Sequence, residues 1–129
     1  MISDNFKMAK AFFEDGLKYF EEEKFYQAEI NFIKSLDLVP QRLSTIRNLI
    51  SIYIKTNDVK KLDNFLEKNA TLHNHMELKY GLAFNFFFKK NYSKSINICQ
   101  ELINHKEFKD SIEDLLASNL KKKNYFLKI

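Results

Sequence analysis

The amino-acid sequence predicts an all-α protein, a stack of antiparallel helix pairs with about seven helices in one domain over residues 1–129. Three observations predict it. The chain repeats itself: Lys89-Lys90-Asn91-Tyr92 returns as Lys122-Lys123-Asn124-Tyr125, and Leu82-Ala83-Phe84-Asn85-Phe86 returns as Leu116-Ala117-Ser118-Asn119-Leu120. Counting back from Tyr92 leads to Val59 and Phe25, from Ser95 to Leu62 and Ala28, and from Phe86 to Tyr53 and Tyr19, by nearly the same interval each time. A fixed period of about 34 residues marks a helical repeat. Within each period the apolar residues form two runs at helical spacing. Finally, Gly 2 and Pro 1 are too few turn formers for a β-rich domain of this length.

The elements follow in order. Phe12, Gly16 and Tyr19 set the buried stripe of a first helix from Phe6 to about Glu22, and Glu21 to Glu23 read as its solvated end. Phe25, Ala28, Phe32, Leu36 and Val39 continue a second helix, which Pro40 stops. Ile46, Leu49, Ile50 and Tyr53 mark the third, from near Leu43. Asn57 is placed as the cap of a fourth, marked by Val59, Leu62, Phe65 and Leu66. A fifth helix runs from about His75 to Lys89 and a sixth from Asn91 to about His105. The last, about 107–122, has Ile112, Leu115, Leu116 and Leu120 inward. Its polar stripe of Asp110, Asp114, Ser118 and Lys121 suits a stack's terminal helix, and Lys121 to Lys123 at its end suit the helix dipole. Repeats thus fall at about 9–42, 43–75 and 76–108, followed by the closing helix. The apolar tail Tyr125-Phe126-Leu127-Lys128-Ile129 reads as the start of a further helix.

The first unit carries a specific resemblance. Phe12-x-x-x-Gly16-x-x-Tyr19, then Ala28-x-x-x-Phe32, then Pro40, is similar to the tetratricopeptide repeat consensus at almost every marker, departing at Asp15, where Leu is usual. Gly16 and Ala28 sit where paired helices cross, and a larger side chain would push them apart. Ile50 and Leu62 replace the small residues in the second unit, and Ala83 and Ser95 restore them in the third. The resemblance covers about residues 9–125. It implies a right-handed superhelical α-solenoid whose first helices line a concave face, and a scaffold or adaptor that binds a peptide or partner protein there. Armadillo and HEAT repeats have longer periods and fit less well.

The first helices carry a second stripe beside the packing one. Phe13, Leu17 and Phe20 lie at i, i+4 and i+7, and Tyr80, Phe84 and Phe87 repeat that spacing with Phe88 beside them. The plainer reading is core between repeats; the sharper one is a groove whose aromatic anchors supply affinity. Between them the middle unit offers Arg47, Asn48 and Ser51, with Ile54 and Lys55. Asn48 falls where the resemblance places an Asn that bonds a ligand backbone. Arg47 could take a carboxylate with two parallel bonds, or pair with a nearby acid at the surface. The family's carboxylate clamp for chaperone tails maps onto Phe13, Leu17, Asn48, Glu77 and Gly81, with Asn48 the one match of five, so no chaperone-tail binding of that type is expected.

Nothing in the chain points to catalysis, a cofactor or a metal. His73 and His75 flank a turn with no third ligand in view, His105 ends a helix, and the two glycines lie inside helices rather than in a phosphate loop. Cys99 is alone on an inward face, a structural thiol. The net charge of +4 is spread, with only Lys121 to Lys123 as a basic run, which argues against nucleic acid. Met1 to Lys10 lack a signal peptide's apolar core, and no stretch approaches a membrane span, so a cytoplasmic protein is expected. Two alternatives stay open: an accessory N-terminal repeat domain of a larger bacterial enzyme, such as a glycosyltransferase or methyltransferase, and a homo-oligomerisation module.

Overall fold

A computed structural model describes residues 3–127, with side chains as far as Lys123. Among them are seven α-helices, one 3-10 turn (Ala70–Leu72) and no strand: α1 (Asp4–Glu21), α2 (Phe25–Leu38), α3 (Leu43–Lys55), α4 (Val59–Lys68), α5 (Met76–Phe88), α6 (Tyr92–Leu102) and α7 (Lys109–Leu127). The protein is all-α. The chain divides into two compact units, Met1–Asp58 with α1 to α3 and Val59–Ile129 with α4 to α7.

The ends of α1, α3 and α5 are one structure used three times. Glu23, Asn57 and Lys90 sit in the left-handed region, with φ of 58°, 56° and 65°. Each donates its N–H three residues back, to the carbonyls of Phe20, Ile54 and Phe87 at 3.0, 3.1 and 2.9 Å. The next N–H donates five residues back: Lys24 to Tyr19, Asp58 to Tyr53 and Asn91 to Phe86, at 2.9, 2.9 and 2.8 Å. This pair of bonds is the Schellman closure, which satisfies carbonyls that a helix end would otherwise orphan. The following helix starts at once, at Phe25, Val59 and Tyr92. Those residues form one of the sets picked out by the sequence period, and the acceptors Tyr19, Tyr53 and Phe86 form another. Asn57 is therefore not the cap expected of it; it is the left-handed residue that ends α3, a conformation Asn tolerates better than most.

In the first unit Ser3 caps α1 by accepting the Phe6 N–H on its hydroxyl at 3.1 Å. Gly16 lies against the ring of Phe32, where an added Cβ would come within 2.7 Å of Cε1. Ala9, Ala28 and Phe32 are fully buried at this crossing, and the Ser35 hydroxyl donates to the Ala9 carbonyl at 2.7 Å. Pro40 and the left-handed Gln41 then turn the chain into α3, which buries Ile46, Leu49, Ile50 and Tyr53. The Tyr53 hydroxyl bonds the nearly buried Glu29 of α2. Burial, reinforced by that carboxylate, pushes the phenol well above its ordinary range.

In the second unit the core gathers Ala83, Cys99, Leu102, Phe108, Ile112 and Leu115. The small residues Ser95 and Ala83 bring α5 and α6 into close contact: both are fully buried, and the Ser95 hydroxyl donates to the Ala83 carbonyl at 2.7 Å. Two departures from expectation concern α7. Its inward stripe is Ile112, Leu115 and Asn119, in line with the buried Phe108 just before the helix, whereas Leu120 is 45% exposed. Asn119 can sit inside because its amide donates to the Ser95 hydroxyl at 2.9 Å and to the Leu115 carbonyl at 3.0 Å. Secondly, α7 runs unbroken to Leu127 instead of stopping near residue 122 before a new helix. Side chains of the tail from Asn124, and Lys128 and Ile129 entirely, lie outside the described residues. Among the described residues no helix is long and apolar enough to cross a membrane.

Candidate partner-binding faces

The first-helix residues singled out in the sequence fall on a face of each unit. In the first unit Phe13 is half-buried, its ring 5.6 Å from that of Phe32, while Phe20 meets Phe25 edge-on at 5.5 Å. Leu17, between them on α1, is exposed. Cations from α3 and its N-cap stand over these rings. Arg42 lies 5.3 Å from the centre of Phe13 and 5.7 Å from Phe6, and Lys55 lies 5.9 Å from Phe20. Contacts near the start and end of both helices mean that α1 and α3 run side by side in the same direction. The face between them alternates aromatic rings with positive charge, an arrangement worth about 0.5–1 kcal/mol per exposed pair.

Arg47, Asn48 and Ser51 are half-buried on α3. The Asn48 amide donates to the Ser44 carbonyl one turn back, at 2.9 Å, so its nitrogen serves its own helix. Arg42, not picked out in the sequence, is the more distinctive cation: one terminal nitrogen is buried and has no hydrogen-bond partner among the described residues. Its position just after the Pro40 turn carries no periodic signal, so only the tertiary contacts reveal it.

In the second unit Tyr80, Phe84 and Phe87 pack on the core cluster while staying half-exposed. They form a continuous aromatic row: Tyr80 lies 5.3 Å from Phe84 and 5.1 Å from the buried Phe108, Phe84 lies 6.2 Å from Phe88, and Phe88 lies 6.1 Å from Phe87. α5 is apolar nearly all round because α4, α6 and α7 each pack on it. Most of this row is thus core and surface at once, and Phe88 sits at its margin. Phe87 also lines an open cavity of about 370 Å³ with Ser118, Lys121 and Lys122 of α7.

Other reactive groups are engaged elsewhere. Cys99 is fully buried, and burial pushes its thiol up, against a smaller opposing effect of Ser95. His73 Nε2 contacts the Leu66 carbonyl at 2.7 Å. Among the described residues no group of three or more His, Cys, Asp or Glu could hold a metal ion. Asp63 binds Lys89 at 2.6 Å and accepts from the buried Asn85 amide at 2.9 Å, and these bonds hold its carboxyl below the usual range.

Fold and faces together define an all-α protein in which one turn geometry recurs after α1, α3 and α5, with aromatic and cationic residues on those helices. No protein-family model matches the chain, and no curated protein matches it.

Proposed function

We propose that the chain is a helical-repeat interaction module of the tetratricopeptide type that binds a peptide or partner protein, and that it is not an enzyme. One observation carries the reading: the aromatic residues of α1 and α5 beyond the packing stripe remain half-exposed, with cations seated on or beside them. Exposed aromatic anchors ringed by polar groups are what protein interfaces draw affinity from. Binding uses Phe13, Leu17, Phe20, Arg47, Asn48 and Ser51 on one unit and Tyr80, Phe84, Phe87 and Phe88 on the other. The return of the Schellman turn at Glu23, Asn57 and Lys90, in step with the sequence period, supports the repeat side of the reading.

Capture from native cell extract tests it, with the whole chain immobilised beside variants. Leu17→Glu and Arg47→Ala change exposed or half-exposed side chains, whereas Phe84→Ala also removes core contact and would confound binding with stability. The expected result is a specific protein retained by the wild type and lost from Leu17→Glu. Retention that no face variant alters, or no retention above the bare matrix, would overturn the proposal. A second reading, self-association, is favoured by one feature: Tyr26, Ile30 and Ile33 expose 71%, 36% and 40% of their surface on one face of α2. Light scattering across concentrations decides it, because a monomer throughout rules it out.

A further inference from the structure

The basic run Lys121 to Lys123 lies short of the last turn of α7. Helix-dipole stabilisation is confined to the last turn, and α7 continues to Leu127, with no basic residue in its last turn. Neither Lys121 nor Lys122 enters an ion pair among the described residues, although Lys79, Lys89 and Lys109 all do. Both lysines instead border the cavity of about 370 Å³ whose apolar wall is the Phe87 ring. Ser118 precedes them by one turn, so all three α7 residues project to the same side. Phe87 packs against the core cluster, and its ring centre lies 5.8 Å from that of Tyr92.

We infer that this cavity is the seat of an acidic polypeptide segment, taking one apolar side chain against Phe87 while neighbouring carboxylates bind Lys121 and Lys122. This rests on the reading of the chain as a polypeptide binder and names the chemistry of what it binds. Charge complementarity selects the occupant. Among the described residues the two lysines that line the cavity have no acidic partner, which favours carboxylates, and the Phe87 ring favours an apolar side chain beside them. The volume lies within the range of about 300–1,000 Å³ that built ligand sites occupy, and suits a side chain rather than a folded surface. The first unit shows the same pairing on a smaller scale, where Lys55 of α3 stands over Phe20 of α1.

The test is fluorescence polarisation on the full chain. The probe is an end-blocked peptide of about ten residues with a central Phe and Asp on both sides. Controls replace the Asp with Lys, or the Phe with Gln; free N-acetylphenylalanine is added separately as a competitor. Binding is expected to weaken at least about tenfold in Lys121→Glu/Lys122→Glu and in Ser118→Trp, which fills the cavity without changing charge. It is expected to fall by a similar factor for either control peptide. Circular dichroism should show both variants folded, since the altered residues are exposed. Equal affinity for the Lys peptide, equal potency of N-acetylphenylalanine, insensitivity to both variants, or no binding tighter than roughly 1 mM would each overturn the inference. A protein captured from extract by the wild type and by Lys121→Glu/Lys122→Glu alike would overturn it while leaving the broader proposal standing.

Discussion

Gly16→Ala is the sharpest probe of how the first helix pair is held together. In an ordinary helix interior this change gains about 1 kcal/mol, because Ala has the better propensity. Here the new Cβ would meet Phe32 Cε1 at 2.7 Å, Cδ1 at 2.8 Å and Cζ at 3.0 Å. Carbon atoms rest at roughly 3.5–4.0 Å, so the ring must retreat by about 0.8 Å. Phe32 has no exposed surface and lies against Phe13, so the displacement spreads into the core. Overpacking of this kind costs roughly 1–3 kcal/mol, and after the propensity gain a net loss of about 1 kcal/mol is expected. Urea unfolding followed by circular dichroism reads it as a lower midpoint. The decisive comparison uses Phe32→Leu as the background, which removes the obstructing ring atoms. There the same Gly16→Ala change should be neutral or stabilising, by up to about 1 kcal/mol. A Gly16→Ala protein more stable than wild type, or an equal loss in both backgrounds, would refute the requirement for Gly16 against Phe32.

Three further outcomes follow from the geometry. Glu23→Gly and Lys90→Gly relieve left-handed backbone, so each should stabilise by roughly 0.5–1 kcal/mol, additively, in the same unfolding assay. The Asp63 carboxyl, lowered in the folded state mainly by Lys89 and then Asn85, contributes stability that is present above its unfolded value and lost as pH falls through its folded value. Urea midpoints measured downward from pH 6 should therefore drop less in Asp63→Asn than in the wild type below about pH 4. Cys99, buried and raised, should react with a disulfide reagent at neutral pH only as fast as the second unit opens, and rapidly in denaturant.

What could be read from the sequence was what periodicity controls. Phe25, Val59 and Tyr92 share a phase, and they begin α2, α4 and α6 because the same turn precedes each. Gly16 and Ala28 were legible as a crossing because only small residues allow close approach. Residues at the edge of a stripe were not. Asn119 and Leu120 are neighbours in sequence, and apolar patterning assigned the inward place to Leu120. A hydrogen bond from Asn119 to Ser95, which no pattern of apolar residues announces, decides otherwise. The echo of Leu82-Ala83-Phe84-Asn85-Phe86 did contain a signal, since Asn85 is also buried and also reaches back to the preceding helix, at Asp63. The left-handed turns carry no signal in the sequence because Glu, Asn and Lys fill them where Gly would be the recognisable residue. The faces were half legible: spacing located Phe13 and Tyr80, but their cores and cations, Phe32, Phe108 and Arg42, come from distant parts of the sequence.

The claim that the first helices form the binding surface is tested most directly by site-specific photocrosslinking. A benzophenone amino acid placed in turn at Leu17, Phe88 and Tyr26, all with some surface exposure, is irradiated in native extract. Crosslinked protein adducts are expected from Leu17 and Phe88, and none from Tyr26 on α2. Adducts from Tyr26 alone, or from none of the three, would contradict the claim.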